Sequence, residues 1–518
     1  MIPVAGESFR HVLLWLFAPV MIYQVLVHTS YLILICLAGS DFVRQLRRTA
    51  YASHDRRVSS LLAHGVSLVV PAFNEEAGIV TTVQAMLALR HPRHEIIVVD
   101  DGSTDRTFDV LAERFALVTI PRQVPQDVQA EGEVLGVYIP DDGRTRLTVV
   151  RKRNAGKTAA VNTGINAATE ELVAVVDADS ILDPDALLAV GAPFADDPVH
   201  TIATGGVIRA ANGCRVVDGR VVEVRMPPNW LSRVQVVEYL RAFLLGRSGW
   251  SRLRCLILIS GAFGMFRRDL LVQVGGFAPG TVGEDFEVIM RLHQKMRREG
   301  RTYRILFVPD PIAWTEVPST FAVLARQRRR WHRGLYEVLV RYRWMLGNPR
   351  YGRIGLVVVP WFWAFELLTP LFDAIGLVLM LVGLHFGLVD LSLFGIYLLL
   401  TMGYSFLVAL ATLAIEEFSF HKYPRWRDLG VAVMAAMVES FGYHQLNSVW
   451  RLQGMWDGLR RTERVWGVMT RSGFTADDRV LAAADHQAAV ARQLAEQVDG
   501  RSAVVPAATP WPGEGRRP

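Results

Sequence analysis

The uncharged apolar stretches of this 518-residue chain constrain its fold most, because they lie on both sides of a long mixed segment. Residues 12 to 40 contain no Asp, Glu, Lys or Arg. A helix of that length measures roughly 43 Å, enough to cross the ~30 Å hydrocarbon core of a bilayer. The apolar part of a cleaved signal peptide is only ~7 to 15 residues long. The sequence therefore predicts a retained transmembrane helix and argues against a wholly soluble chain.

A second apolar region covers about residues 354–450. Its apolar segments are 354–372, 374–389, 391–415 and 429–450. Pro360 and Glu366 in the first segment predict an interfacial or broken helix rather than a plain span. Glu439 and His444 in the last segment are costly in lipid, so we expect both to face protein or a water-filled passage.

Arginines indicate which helix ends face the cytoplasm. Five of them follow the first apolar stretch: Arg44, Arg47, Arg48, Arg56 and Arg57. Because cytoplasmic flanks are enriched in Lys and Arg, the domain that follows is predicted to lie inside the cell, in a multi-pass protein of the plasma or inner membrane. The loop HKYPRWR and four later arginines carry the same signal: Arg451, Arg460, Arg461 and Arg464. A single simple helix at 429–450 cannot have both of its flanks in the cytoplasm. Either this segment is re-entrant or one of the two arginine-rich flanks is not cytoplasmic, so the number of spans stays open.

These boundaries divide the chain into four predicted parts. They are an N-terminal helix with its flank (1–45), a cytoplasmic domain (46–345), a membrane region (346–455) and a largely disordered, cytoplasmic or exposed tail (456–518). The three cysteines are far apart and have no CxxC spacing, which predicts neither a disulfide framework nor a zinc site. Much of the net charge of +6 lies in arginines at the membrane borders and argues against a nucleic-acid partner.

The segment between the membrane regions has the pattern of a soluble α/β domain. Four apolar runs alternate with helical stretches: VSLVVPA from Val66, EIIVVDD from Glu95, LTVV from Leu147 and ELVAVVDAD from Glu171. Such runs are typical of parallel strands covered on both faces. The segment from Ala116 to Thr148 is an insertion without an evident role. The stretch VQVVEYLRAFLLGRSGW, from Val234, predicts either a helix at the membrane surface or an ordinary packed helix.

Polar residues follow three of these runs. They are Asn74, Glu75 and Glu76 after the first run, Asp100 and Asp101 after the second, and Asp177 and Asp179 after the fourth. Ligands of open α/β sheets bind at the carboxyl ends of the strands, so we expect these side chains in one crevice. A cap at Ser103 or Thr104 would leave Asp100 and Asp101 free for a ligand. Two aspartates in DxD at a strand end suit a divalent cation that also binds substrate phosphates, whereas an isolated DxD is a solvated turn.

Two later motifs bring in a further carboxylate and a run of arginines. GED contains Glu284 and Asp285, where a carboxylate can take a proton from an incoming hydroxyl. QRRRW contains Gln327, Arg330 and Trp331. Guanidinium groups bind phosphate oxygens, and an indole face can stack on a sugar ring. Taken alone, such a run near a membrane indicates a lipid headgroup site or a topology signal.

Seven motifs in a fixed order resemble the processive family 2 glycosyltransferases, which include the cellulose, chitin, hyaluronan and poly-N-acetylglucosamine synthases. The motifs are PAFNEE, VVDDGSTD, NAGKTAAVN, VDADS, SGAFGMFRR, GED and QRRRW, and they cover about residues 64 to 345. The resemblance implies an α/β nucleotide-sugar-binding domain, GT-A-like and related to the Rossmann fold, inserted between α-helical transmembrane segments. Many relatives have TED where this chain has GED, which retains Asp285.

The resemblance also implies roles for the matching residues. The residues predicted to bind substrate are Asp100, Asp101, Lys157, Asp177, Glu284, Gln327, Arg330 and Trp331. The first two belong at the uracil and ribose, Lys157 near the nucleotide phosphates, and the QxxRW residues at the pyrophosphate and the acceptor sugar. Asp179 is implied as the ligand of Mg or Mn, Asp285 as the general base, and SGAF as the segment near the acceptor.

The implied function is that of a membrane-embedded inverting transferase. It would move a sugar from a UDP-sugar donor, with UDP-N-acetylglucosamine favoured and UDP-glucose next, to a growing β-linked polysaccharide or oligosaccharide. Membrane lipid surrounds such a protein, and one chain does not identify export partners. Two alternatives stay open. A non-processive transferase would add one sugar to a lipid or other acceptor without needing QRRRW, and a membrane transporter would not need the acidic strand ends.

Overall fold

The computed structural model describes residues 2–49, 64–217, 219–387, 389–420 and 426–461. The predicted disordered tail lies outside these residues from 462 onward. Arg56, Arg57, Arg464 and most of the HKYPRWR loop lie outside them as well.

Within the described residues, ten strands form one mixed sheet and two form a separate hairpin. The strands are β1 Val66–Ala72, β2 His94–Asp101, β3 Leu117–Ile120, β4 Val134–Pro140, β5 Leu147–Lys152, β6 Leu172–Val176, β7 Ser180–Leu182, β8 Thr201–Ala210, β9 Arg215–Val217, β10 Arg220–Glu223, β11 Phe263–Arg267 and β12 Arg304–Thr315. The order in the large sheet is β3-β4-β5-β2-β1-β6-β11-β8-β12-β7, and β9 pairs with β10.

Helices surround this sheet and form the membrane-type regions. They are α1 Ile2–Thr49, α2 Ile79–Leu87, α3 Thr107–Phe115, α4 Lys157–Ala167, α5 Ala186–Asp196, α6 Trp230–Tyr239, α7 Ser248–Arg252, α8 Arg268–Gln273, α9 Glu284–Arg298, α10 Phe321–Arg341, α11 Val359–Trp361, α12 Thr369–His385, α13 Leu391–Leu398, α14 Tyr404–Phe420, α15 Trp426–Val438 and α16 His444–Arg460. π-helical turns span Leu240–Arg247, Ile354–Val358, Phe362–Leu367, Leu399–Gly403 and Glu439–Tyr443, and short 3₁₀ turns span Arg343–Met345 and Pro349–Tyr351.

The four apolar runs form the predicted parallel strands at the centre of the sheet. β1 pairs in parallel with β2 and β6, and β2 pairs in parallel with β5. Every residue of β6 is buried, as expected for a strand covered on both faces. The predicted GT-A-like α/β fold is confirmed, and the carboxyl ends of these strands meet at one edge of the sheet.

The insertion between Ala116 and Thr148 extends this sheet. Its strands β3 and β4 pair antiparallel with each other, and β4 pairs antiparallel with β5. In the segment between β3 and β4, the Val128 N–H donates a hydrogen bond to Asn166 Oδ1, and Asn166 Nδ2 donates one to the Val128 carbonyl, both at 2.8 Å. Asn166 lies on α4, so the insertion also fixes the helix that follows the NAGK motif.

Three helical runs of the described chain are long and apolar enough to cross a membrane: Trp15–Ser40, Ile354–His385 and Leu391–Glu417. The second run consists of π and α turns with a bend at Leu368, which confirms the broken helix predicted there. The predicted boundary at Asp373 is wrong. Asp373 lies inside α12 and accepts hydrogen bonds from Gln24 at 2.8 Å and His444 at 3.1 Å, so its carboxylate is satisfied among apolar helices.

The last apolar segment consists of two helices with a break between them. Phe441 (φ −108°, ψ 97°) and Gly442 (φ 103°, ψ −52°) leave the helical conformation between α15 and α16. Glu439 is 1% exposed and accepts hydrogen bonds from Arg241 at 2.6 and 2.8 Å. The prediction that Glu439 and His444 face protein is therefore confirmed, while re-entry of this segment stays a prediction.

Candidate active site

Asp101, at the end of β2, holds the loop that leads into α4. Its carboxylate accepts hydrogen bonds from Lys152 Nζ at 2.6 Å, from the Ala155 N–H at 3.1 Å and from the Gly156 N–H at 2.7 Å. Lys152 is completely buried. The expectation that Asp101 is free for a ligand is therefore wrong, because both of its oxygens already have donors. Its position makes it an anchor for the NAGK loop.

Asp100 retains an open acceptor atom. Its Oδ1 accepts a hydrogen bond from the Ser103 N–H at 3.0 Å. Its Oδ2 lies 3.7 Å from Arg151 Nε, and no described residue donates a hydrogen bond to it. Since a buried carboxylate oxygen without a donor is costly, this atom is suited to accept one from a ligand.

The predicted helix cap after DDG is also wrong. Arg106 occupies the N-cap position of α3 without a side-chain cap, and Asp105, just before it, accepts a hydrogen bond from the Thr107 N–H at 2.9 Å. Ser103 Oγ and the Thr104 N–H instead bond to Asn74, at 3.0 and 2.8 Å. The DDGSTD loop is thereby tied to the PAFNEE loop after β1.

Lys157 is paired with carboxylates from two motifs. Its Nζ lies 2.5 Å from Asp177 Oδ1, in VDADS, and 3.8 Å from Glu284 Oε1, in GED. Although burial alone would lower it, the charges of Asp177 and Glu284 raise the pKa of Lys157. Burial raises the pKa of Glu284 to about 7, with Lys157 opposing and Asp285 adding to the rise. Lys157 thus links Asp177, at the end of one strand, to the GED motif.

Asp285 lies in the first turn of α9 and is oriented by backbone donors. Its Oδ2 accepts a hydrogen bond from the Gly261 N–H at 3.1 Å, and its Oδ1 accepts one from the Phe286 N–H at 2.8 Å. Burial raises the pKa of Asp285, while the Phe286 N–H and the Lys157 charge oppose the rise. A raised pKa suits a carboxylate that accepts a proton near neutral pH. Gly261 belongs to SGAF, so that segment also reaches the site.

Two glycines press the GED motif against the helix that carries QRRRW. A Cβ atom on Gly283 would lie 3.2 Å from the Gly334 carbonyl oxygen, and one on Gly334 would lie 3.0 Å from the Gly283 nitrogen. The Val282 N–H also donates to Glu337 of α10 at 3.2 Å. This close approach of α9 to α10 accounts for the glycine in GED, because a larger residue would crowd the facing backbone.

The QRRRW motif presents an indole surface. Trp331 is 43% exposed, with the Arg328 guanidinium 4.3 Å from its ring centroid and the edge-on ring of Tyr239 at 6.4 Å. Gln327 lies one turn earlier on the same helix face, and its buried Oε1 receives no hydrogen bond from any residue in the described ranges. Arg330, beside Trp331, is half-buried.

Asp179 is half-buried and lies near Tyr239. Burial raises the pKa of Tyr239 to about 12, and the charge of Asp179 contributes to the rise. The described part of the chain contains no group of three His, Cys, Asp or Glu side chains arranged to hold a metal. The carboxylates of VDADS nevertheless fit a hard cation such as Mg²⁺, which commonly binds one or two carboxylates and completes its shell with water and substrate phosphates.

Sequence reasoning missed Arg247 as a site residue. It ends the π turn Leu240–Arg247 within the stretch that begins at Val234, where Val234, Val237 and Leu240 are buried, as expected for a packed helix. The charges of Arg247 and Asp285 lie close enough to affect each other's pKa. The available signal was the spacing of Tyr239, Phe243 and Arg247, which recur every four residues.

Parts of the chain match families of known proteins. Residues 172–413 match the family described as glycosyl transferase family group 2, and residues 67–124 match glycosyl transferase family 2. The poly-β-1,6-N-acetyl-D-glucosamine synthase of Staphylococcus aureus is 28% identical over 302 residues, or 58% of this chain and 61% of the relative. That of Staphylococcus epidermidis is 27% identical over 280 residues, or 54% and 57% of the two chains. The chain thus spans about three fifths of the length of these relatives.

Solved structures with similarity to the chain are more distant. A Pyrobaculum calidifontis mannosyltransferase in complex with GDP-Man and Mn²⁺ has 18% sequence identity and a TM-score of 0.46, covering 82% of this chain and 99% of that one. Residues 1–349 of S. aureus TarS, in complex with UDP-GlcNAc, have 16% identity and a TM-score of 0.36, covering 74% and 92%. Residues 67–124 and 172–413 therefore match glycosyltransferase family 2 domains, and the chain is similar in sequence to these synthases.

Proposed function

We propose that this chain is a membrane-embedded inverting glycosyltransferase that extends a β-linked polysaccharide from a UDP-sugar. UDP-N-acetylglucosamine is the favoured donor and UDP-glucose the next. The observation that carries the proposal is the Asp285 carboxylate, held by the Gly261 N–H beside the Lys157–Asp177 pair at the sheet edge. The similarity to poly-N-acetylglucosamine synthases supports the choice of sugar.

Asp285 acts as the general base in this proposal. It accepts the proton of the acceptor hydroxyl while that oxygen attacks the anomeric carbon and the nucleoside diphosphate leaves from the opposite side. A single displacement inverts the anomeric centre, so an α-linked donor gives a β-linkage. Backbone N–H groups from Gly261 and Phe286 fix the carboxylate, and its burial raises the pKa toward the working pH.

Other residues of the crevice bind the donor. Asp100 Oδ2 accepts a hydrogen bond from the nucleoside, and Asp101 fixes the loop beneath it. Lys157 and Arg330 present positive charge to the diphosphate. Asp179, with Asp177, holds Mg or Mn, which supplies further positive charge at the leaving group when bound. Gln327 contributes its open Oε1, and Trp331 stacks on the acceptor sugar.

The membrane-type helices place this reaction at a bilayer. Three candidate spans and the arginines after the first one support a multi-pass protein of the plasma or inner membrane, with the catalytic domain on the cytoplasmic side. The helix break at Phe441 and Gly442 supports re-entry of the last apolar segment. In this arrangement the growing polymer leaves through the helices next to the site.

Replacement of the base tests this assignment. We expect Asp285→Asn to lower sugar transfer by about 10²- to 10⁴-fold while UDP binding changes less than about twofold, because the change removes proton acceptance but keeps the side-chain shape. Asp269→Asn is the matched control, since Asp269 is exposed in the first turn of α8. Transfer by Asp285→Asn near the wild-type rate would overturn the role of Asp285.

A further inference from the structure

Arg247 carries a buried hydrogen-bond donor that no described residue uses. It is the last residue of the π-helical turn Leu240–Arg247, and its guanidinium lies 3.8 Å from the ring centroid of Phe243. Its Nη1 is buried and has no hydrogen-bond acceptor among the residues that the structure describes. A buried guanidinium nitrogen without an acceptor is costly, and π turns inside helices occur frequently at functional sites.

A row of side chains connects Arg247 to the exposed indole of the site. The rings of Tyr239 and Phe243 stack with centroids 5.4 Å apart and planes 4° apart, and Tyr239 meets the edge of Trp331 at 6.4 Å. At the other end, Arg247 lies within electrostatic range of Asp285. The row therefore runs from the exposed indole of Trp331 to the guanidinium of Arg247.

The chemistry at the two ends of this row suits one ligand. An exposed indole offers a stacking face to a sugar ring, and the hydroxyl or acetamido oxygens of a sugar are acceptors for a guanidinium nitrogen. A sugar lying between Trp331 and Asp285 would satisfy Nη1 of Arg247. The Phe243 ring, whose centroid lies 3.8 Å from the guanidinium, stabilises the charge of Arg247 in this buried position.

We propose that Arg247 binds the acceptor sugar. Its Nη1 donates a hydrogen bond to an acceptor oxygen next to the attacking hydroxyl and so holds that hydroxyl at Asp285. This role rests on the proposed function, because it assigns the acceptor side of the same reaction. Arg247 thereby selects which hydroxyl of the acceptor reacts.

The test compares Arg247→Gln and Arg247→Lys with Arg252→Gln in the full chain. Arg252 is exposed on the next helix, α7, and serves as the matched control. The donor is UDP-N-acetylglucosamine and the acceptor is a β-linked N-acetylglucosamine tetramer. We expect the KM for the acceptor to rise about 10- to 100-fold in Arg247→Gln, because losing a hydrogen bond from a charged group changes affinity by about that factor. Arg247→Lys should recover part of this loss. UDP affinity and hydrolysis of the donor should stay within about twofold.

Binding of the tetramer to the UDP-loaded protein, followed by tryptophan fluorescence, separates this proposal from the proposed function. Absence of transfer by the wild-type protein would contradict the function, while weaker tetramer binding by Arg247→Gln would still support the acceptor role. Wild-type tetramer binding by Arg247→Gln would overturn that role. A loss of UDP affinity that matches the loss of tetramer affinity would overturn it too, because it would place Arg247 on the donor.

Discussion

Removal of the buried Lys152 ammonium should destabilise the protein at the NAGK loop. In Lys152→Met, Asp101 loses its partner at 2.6 Å, and the Arg153 carbonyl loses a hydrogen bond at 2.9 Å. Breaking a buried ion pair by removing one partner costs about 3–5 kcal/mol. Asp101 keeps two backbone donors, from Ala155 and Gly156, so we expect the lower end, about 3 kcal/mol.

Thermal unfolding of the purified protein in detergent measures this cost. At about 2–4 °C per kcal/mol, the midpoint should fall by roughly 6–12 °C. Arg153→Met is the matched control at the adjacent position, because Arg153 is 72% exposed and pairs with an exposed Glu133. Its midpoint should move by less than about 2 °C, since exposed ion pairs contribute little. Equal midpoints for the two variants would refute the anchoring role of the Lys152–Asp101 pair.

Three further predictions concern the rest of the site and its support. Burial raises the pKa of Glu284 from 4.5 to about 7, so the donor-free protein should lose stability as pH rises through this window, and the melting midpoint of Glu284→Gln should fall less steeply with pH; equal slopes for the two proteins would contradict the assignment. Gly334→Ala should lower both the melting midpoint and transfer, because its Cβ meets backbone 3.0 Å away, whereas Gly191→Ala, with open space inside α5, should raise the midpoint slightly and leave transfer unchanged. Arg241→Met should lower the midpoint by several degrees by leaving Glu439 buried without its partner, and adding Glu439→Leu should restore it; no recovery would argue against this pair.

The centre of the fold could be predicted because its information is local. Runs such as 66–72 and 172–176 are apolar on both faces, which is enough to identify strands buried between helices. The rule that parallel strands end at one edge then brings Asp177 toward the GED motif. The antiparallel additions, including the insertion that became β3 and β4, could not be predicted, because their pairing depends on partners distant in sequence.

The candidate site shows the same division. Motif order predicted that Asp100 and Asp101 lie at the crevice. It did not predict which of their oxygen atoms already accept hydrogen bonds from the protein. That depends on the register between β2 and β5, which sets Asp101 opposite Lys152 and Asp100 opposite Arg151. Arg247 could not be assigned for a similar reason, since a π turn and the packing of Phe243 set its position and leave its Nη1 without an acceptor among the described residues. Tertiary contacts therefore decide which of several candidate side chains has an atom left for a ligand.

Sizing the product made by membranes that contain the protein tests the central claim most directly. Labelled UDP-N-acetylglucosamine and UDP-glucose are supplied separately, each with Mg or with Mn, and the product is separated by length and digested with linkage-specific glycosidases. The account predicts a long β-linked polymer, made best from UDP-N-acetylglucosamine and dependent on the divalent cation. A single added sugar, or no transfer from either donor, would contradict it.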